Sequence, residues 1–435
     1  MAKRRYRSAK INQIEIARLL EAIEGDRIVV SVDVAKEDMF AAVMDVQERV
    51  HAIVRWKHPS QSRQWMQFVK ELSGRGHRVE VAMEPSGVYG DGLRWALHQA
   101  GVPVFRVNPK RSHDAAEVYD GVPSLHDAKS AAIVGKLHLD GISEPWPVRS
   151  DHERRLAGAV RLLEVHEKQF QQNRNRLEGL VSRHWPELSR ILDLGSATLL
   201  ELLSAFGGPE EVAQRPEEAR LLMQKVGGRF LDDAKIEAVV ASASSAFGMA
   251  QVDEELRLVK ELAAEARRNQ RASATQQRRV EELTKAEPVT DRMQPVVGKV
   301  TTAVLVAAAG DPGGYASAYA YTKALGLNLK EKSSGKQHGQ LHITKRGPGV
   351  TRLFLYLAVL RWIQHDPVAR AWYAKKVKRQ GGLFKSKAVI ALMRKLALGL
   401  WHVARGADFD STLLFDTRRL GLDDAISRHR MEATM

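Results

Sequence analysis

Cysteine is absent from the 435 residues. That excludes disulfides, thiolate-bound zinc and a thiol nucleophile. Long apolar runs are missing as well. The most apolar stretch, Val300 to Ala309, falls well short of the roughly 20 residues that span a bilayer, so no membrane segment is expected. The basic start carries no hydrophobic export signal, and the expectation is a cytoplasmic protein. No short-period repeat and no low-complexity run of note is present. Negative charge is in deficit: 67 Lys and Arg stand against 52 Asp and Glu, a formal net charge of +15. With an isoelectric point near 9.9, such an excess attracts phosphate irrespective of sequence and points to a polyanionic partner. Ribosomal, chromatin and membrane-surface proteins share that signature. The chain is longer than one typical domain, so two or three folded units are expected.

What is present changes character along the chain. The first ten residues carry Lys3, Arg4, Arg5, Arg7 and Lys10 and read as a basic arm, mobile or simply solvated. From Arg27, Ile28 to Val34, Phe40 to Val46 and Val50 to Trp56 are β-rich at hairpin spacing and free of Pro, which predicts three antiparallel strands. Trp65, Phe68, Val69 and Leu72 recur at helical spacing. A strand over Val79 to Met83, a helix over Leu93 to Ala100, a strand over Val102 to Val107 and a helix over Asp127 to Leu139 follow. Three strands, helix, strand, helix, strand, helix is the element order of an RNase H-like α/β fold, expected over 27–147 after a basic arm and leading helix at 1–26. Over 148–290 the pattern turns helical, with Leu156 to Val181 and Val252 to Leu283 the longest stretches. Val252, Leu256, Val259 and Ala263 share one face before the stripe fades through Gln270 to Gln277, which reads as a helical hairpin or a dimerising coiled coil. A separate, mostly helical C-terminal domain is expected over 291–405, with helices at Thr351 to Gln364 and Lys387 to Val403 flanking a basic segment, and a tail over 406–435.

Two sets of residues carry chemistry. Asp33 sits within an otherwise apolar first strand, where an unpaired charge is costly. Glu84 ends the strand Val81-Ala82-Met83. Singly, either acid could be salt-bridged or capping. Jointly, at the ends of strands that neighbour one another in such a sheet, they would repel unless a proton or a hard cation such as Mg²⁺ sat between them. Asp127, at the start of a helix, could bring a third carboxylate to the same place. In the C-terminal region, Glu331-Lys332-Ser333-Ser334-Gly335-Lys336 and Ile343-Thr344-Lys345-Arg346-Gly347 supply hydroxyls, glycine and the cations Lys332, Lys336, Lys345 and Arg346. They read as a phosphate-contacting loop or as a plain polar surface loop.

Taken together these segments resemble one family. Ser31-Val32-Asp33-Val34-Ala35-Lys36, Glu84-Pro85-Ser86-Gly87-Val88-Tyr89-Gly90 and Val107-Asn108-Pro109 look like the amino-terminal half of insertion-sequence 110 family transposases and the related Piv-type DNA invertases. Val297-Gly298-Lys299, Gly310-Asp311, Ala324-Leu325-Gly326-Leu327, Ser334-Gly335-Lys336 and Thr344-Lys345-Arg346-Gly347 look like that family's C-terminal transposase domain.

The resemblance implies a prokaryotic enzyme with a RuvC-like domain whose DEDD carboxylates bind Mg²⁺ or Mn²⁺, and a C-terminal serine nucleophile, together cutting and rejoining DNA. It maps the nucleophile to Ser334, with Ser333 its neighbour, and the first two acids to Asp33 and Glu84. Asp127, Ser130, Ala131 and Gly135 fit the family's helix frame, with Gly141 closing it. That frame puts Asp127 third and Ser130 where the fourth acid belongs; a one-turn slip would instead make Asp127 fourth and Ser124 third. Either Ser130 or His126 would stand in for the missing carboxylate. The resemblance further implies a homo-oligomer, dimer or tetramer, held by the middle helices, and a guide RNA encoded by the element. The rival expectations are a RuvC-like structure-specific nuclease and a non-catalytic nucleic-acid-binding relative.

Overall fold

A computed structural model describes residues 7–85, 87–119, 126–334 and 337–421, with the backbone alone at 332–334, 337, 338 and 340. Ser86, Ser124, Gly335 and Lys336 therefore lie outside the described residues. The chain divides into two compact units, Met1–Ser150 and Asp151–Met435. The first is a mixed α/β sheet domain and the second is mostly helical.

In the first unit, β2 (Arg27–Asp33), β3 (Asp38–Met44) and β4 (Val50–Lys57) run antiparallel, while β5 (Arg78–Met83) and β6 (Val104–Arg106) continue the sheet parallel to β2. Adding β1 (Ser8–Lys10) and β7 (Glu144–Pro145), the order across the sheet is β1-β4-β3-β2-β5-β6-β7. The five expected strands are present, the first three antiparallel as expected. The two edge strands were not anticipated, being three and two residues long and without an apolar pattern. Ser8–Lys10, expected in the basic arm, pairs parallel with Ile53–Arg55.

Period-two alternation gives the central strands two buried faces. Ile28, Val30 and Val32 pack with Trp65, Phe68, Val69 and Leu72 of α2 (Ser62–Ser73), after the short helix α1 (Ile16–Glu21), and with Leu93 and Leu97 of α3 (Asp91–Gln99). Val29 and Ala42 face the other way. Beyond the short α4 (Pro109–Asp114), α5 (Asp127–Leu139) covers that face with Ala128, Ala131 and Ala132 against β2 and β3, and with Ile133, Val134 and Leu137 against Ala82 of β5.

The second unit is built on helices Asp151–His184 and Asp253–Thr284, 34 and 32 residues long, so each runs about 50 Å. They pair antiparallel within the chain. At one end Leu177 and Val181 share a core with Val259, Ala263 and Ala266; at the other, Leu163 meets Val280. Between these ends the seam is polar, with Asn173 donating to Glu265 at 3.1 Å and His166 bonded to Asn269 at 3.1 Å. The polar seam continues through Ser273 and Gln277, both bonded to Glu167, where the apolar stripe fades, and within the chain the two helices form a hairpin.

A further core gathers Leu355, Val359, Trp362, Leu392, Leu396 and Leu400 from helices Gly349–His365 and Lys385–Ala404. The basic segment between them holds a helix of its own, Pro367–Arg379, started by Pro at its first turn and by the Asp366 carboxylate accepting from Ala369 N at 2.7 Å. The serine segment, expected as a loop, forms an antiparallel hairpin of β8 (Leu329–Ser334) and β9 (Gln337–Ile343). Among the described residues, no helix is long and apolar enough to cross a membrane.

Candidate active site

Asp33 is the last residue of β2, and Glu84 follows the last residue of β5. The two strands are parallel neighbours, paired up to Val32 with Met83, so the two acids stand one step beyond that pair at adjoining strand ends. Both fall on the face that carries Ser31 and Ala82, the face covered by α5.

Three features hold α5 over them. Its far end is tied by His138 Nε2, 3.0 Å from the buried Glu80 carboxylate on β5. Its middle sits directly on the sheet at Gly135, where a Cβ would come 2.6 Å from Ser31 Oγ and 2.4 Å from Met44 Sδ, so any larger residue would have to displace those side chains or lift the helix. Its near end is capped by His126, whose Nδ1 accepts from Lys129 N at 3.3 Å. Asp127 thereby begins α5 above the strand ends, exposed, with Ser130 one turn further and partly buried.

The electrostatics follow from this placement. Burial, then the Asp127 charge, then the Glu84 charge push the Asp33 carboxyl up to about 7. The three acids thus act on one another. They are not drawn into a ligand set, since among the described residues no group of three or more His, Asp or Glu side chains is gathered closely enough to hold a metal ion. The donor set nonetheless suits a hard divalent cation: oxygen ligands only, in mutual repulsion that a cation would relieve. The contrast with Glu80 is informative. That acid is the more completely buried of the two, but Arg27 at 2.7 Å, Arg78 at 2.9 Å and His138 compensate it. Among the described residues Asp33 has no ion-pair partner. Sequence reading passed over Glu80 and His138, although Glu80 between Val79 and Val81 carried the same signal as Asp33, an acid inside an apolar strand.

The second set lies in the helical unit. Ser334 pairs with Gln337 as the last strand residue before the hairpin turn, and Lys332 pairs with Gln340. Lys345 and Arg346 are exposed at the foot of β9. The Thr344-Lys345-Arg346-Gly347 motif builds the base of the hairpin. Thr344 N donates to Asn328 O at 2.9 Å, and its hydroxyl bonds the Asn328 side chain. Lys345 N donates to Gly326 O at 2.9 Å, and the Arg352 guanidinium bridges the Leu325 and Gly347 carbonyls at 3.1 Å each. Gly347 has φ +149°, and a Cβ there would lie 2.2 Å from Ala324 O. The motif therefore fixes where the Ser334 tip is held.

Comparison with known proteins agrees with both halves. A family model described as transposase IS116/IS110/IS902 family matches residues 292–374, and a DEDD transposase model of the IS110 type matches residues 30–186. An uncharacterized 44.8 kDa protein of insertion element IS116 from Streptomyces clavuligerus is 24% identical over 399 residues, covering 89% of this chain and 94% of that one. An uncharacterized 43.6 kDa protein of insertion element IS110 from Streptomyces coelicolor is 26% identical over 245 residues, covering 54% of this chain and 59% of its own length.

Proposed function

We propose, from the premise that this chain belongs to the IS110 family of insertion-element transposases, that it cuts and rejoins DNA with two cooperating sites. One is a metal-dependent carboxylate site of Asp33, Glu84 and Asp127 on an RNase H-like, RuvC-type domain; the other is a nucleophilic Ser334. The observation that carries the reading is Asp33 at a strand end beside Glu84, uncompensated, its carboxyl raised to about 7 by burial and by the Asp127 and Glu84 charges. An enclosed acid left in that state is a functional arrangement more than a structural one. The sheet order β4-β3-β2-β5-β6, with the first three strands antiparallel and the rest parallel to β2, supports the RNase H-like assignment.

In this reading Asp33, Glu84 and Asp127 would hold Mg²⁺ or Mn²⁺, which supplies charge stabilisation to the oxygens of an in-line displacement at phosphorus. Ser334 Oγ attacks a backbone phosphate, forming a phosphoserine bond as the P–O bond to the leaving deoxyribose oxygen breaks, and the serine proton leaves to solvent. The leaving oxygen takes up a proton. Rejoining reverses the step, so no external energy source is needed. Lys332 and Lys336, near Ser334 in sequence, and Lys345 and Arg346, at the base of the hairpin, would contact phosphate. The family resemblance adds a homo-oligomer and an element-encoded guide RNA, which purification from cells carrying the whole element, followed by sequencing of bound RNA, would recover.

The deciding experiment is strand cleavage in Mg²⁺ by Asp33→Asn, Glu84→Gln, Asp127→Asn and Ser334→Ala. All four should abolish strand exchange, and Ser334→Ala should also abolish a covalent protein–DNA species on denaturing gels. Cleavage by Ser334→Ala at the full rate would leave a structure-specific nuclease in place of this mechanism. A second reading, a non-catalytic nucleic-acid-binding relative, is favoured by Ser130 at the fourth ligand position; inactivity of the parent chain with every DNA substrate and metal tested would select it.

A further inference from the structure

The pairing registers carry Asp33 outward to the edge of the sheet. Asp33 is opposite Phe40 of β3, Phe40 is opposite Arg55 of β4, and Arg55 is opposite Lys10 of β1. Directly opposed residues project from the same face, so these four form one row on the α5 side. At about 4.8 Å per strand, Arg55 stands about 10 Å from Asp33 and Lys10 about 14 Å. A cleft of about 690 Å³ opens over the outer part of the row, lined by Lys10, Arg55 and Phe40 together with the Lys57–Asp38 pair and Asp127.

The cations in this row are not accounted for by the fold. Arg55 and Lys10 are exposed, and among the described residues neither has an ion-pair partner. Lys57, two residues along β4, is by contrast held by Asp38 at 2.7 Å. Lysine on an edge strand commonly blocks unwanted strand pairing, which would explain Lys10 alone. It does not explain Arg55, because β1 already covers that side of β4. Nor does it explain Phe40, an aromatic side chain only half-buried between Arg55 and the carboxylates.

We propose that this row is the track along which the DNA strand reaches the carboxylate site, Arg55 and Lys10 holding backbone phosphates on one side of the cut and Phe40 offering a face to an unpaired base. Two point charges without carboxylate partners are free to release counterions from a phosphate backbone, and a half-exposed ring between them and the acids suits base stacking. The proposal rests on reading Asp33, Glu84 and Asp127 as the cleaving site.

The test uses the full-length chain, a mixed-sequence single-stranded DNA oligonucleotide, and fluorescence anisotropy across a salt series. Lys10→Gln with Arg55→Gln should weaken binding roughly tenfold at low salt and flatten the log–log salt slope by about 1.4, the effect of two phosphate contacts on a single strand. Lys57→Gln, the paired control, should change affinity less than about twofold. Phe40→Leu should weaken binding several-fold without altering the slope. Cleavage by the double variant at subsaturating DNA should fall in step with its affinity, the loss appearing in kcat/KM. An unchanged slope, or a loss no greater than that of Lys57→Gln in a variant with the parent's melting temperature, overturns the track. Asp33→Asn should bind like the parent and fail to cut; if it cuts, the carboxylate reading falls, and the row's link to cleavage falls with it.

Discussion

His138 Nε2 lies 3.0 Å from the Glu80 carboxylate, and this contact ties the far end of α5 to β5 so that the near end stays over Asp33 and Glu84. His138 Nδ1 meets Ser143 Oγ at 2.8 Å, which suits a neutral ring donating to Glu80 and accepting from the serine hydroxyl. Removing His138 leaves a buried carboxylate one partner short. His138→Ala should cost about 1–3 kcal/mol and slow strand cleavage beyond what the stability loss explains, because α5 loses an anchor. Denaturant melts and cleavage rates on the same preparations, with His138→Gln restoring most of both, check this.

The same pair sets a pH dependence. Burial lowers the His138 pKa below its ordinary 6.5, outweighing the attraction of Glu80. Burial pushes Glu80 up, but hydrogen bonds from Arg27 and His138 together hold it below its ordinary 4.5. Each folded-state value is depressed. As pH falls below about 6.5 the unfolded chain gains a proton that folded His138 resists, and below about 4.5 the same holds for Glu80. Both contributions are therefore lost on acidification. The stability of His138→Gln should fall less than that of the parent between pH 7.5 and 5.5; a fall of equal size would remove His138 from the account.

Asp33 has the opposite sign. Its carboxyl is raised from 3.8 to about 7, so between those values the unfolded chain ionises more readily than the folded one, and the metal-free fold loses stability as pH rises. Asp33→Asn should raise metal-free stability at pH 8, by on the order of 1–2 kcal/mol once the partial solvent exposure of the group is allowed for. That is a melting shift of about a few degrees. The variant should at the same time abolish cleavage and any stabilisation by added Mg²⁺. Calorimetry in chelator and in Mg²⁺ reads both effects, and a variant less stable in chelator than the parent would contradict the electrostatic reading.

How much of this was legible beforehand follows from where the signals lie. The central strands and α5 were readable because their apolar runs and alternation have no competing interpretation, and Asp33 and Glu84 stood out as acids at strand ends. The serine hairpin was not, since Leu329–Ser334 and Gln337–Ile343 are mostly polar and look like a loop until their pairing is seen. The row from Asp33 to Lys10 was hidden for a different reason. It depends on register across four strands, one of them only three residues long, and no local pattern encodes that. Glu80 and His138, 58 residues apart, meet only through the packing of α5 on the sheet.

Gly135 offers a clean opposition of effects. Helix propensity alone favours alanine over glycine by about 1 kcal/mol in a helix interior. The close approach to Met44 Sδ and Ser31 Oγ opposes it, because the added Cβ must push α5 off the sheet or displace both side chains. Overpacking of this kind typically costs about 1–3 kcal/mol. Gly135→Ala should therefore be destabilising, and should weaken Mg²⁺ binding by moving Asp127. Pairing it with Met44→Ala should recover part of the metal affinity if the clash is the cause.

Ser130 is the sharpest test of the carboxylate site. It sits one turn beyond Asp127 on α5, where the family frame calls for an acid, and it is partly buried. Placing a fourth carboxylate there adds repulsion to a group in which Asp33 is already driven towards protonation by burial and by the charges of Asp127 and Glu84, so metal-free Ser130→Asp should be less stable than the parent at pH 8. The same change supplies another oxygen ligand, so added Mg²⁺ or Mn²⁺ should restore stability and bind more tightly than to the parent, by about tenfold or more. The two signs are linked through one cause. Thermal melts in chelator and across a metal titration would show a lower starting point and a steeper rise; a variant destabilised equally with and without metal would mean that residue 130 does not face the ion.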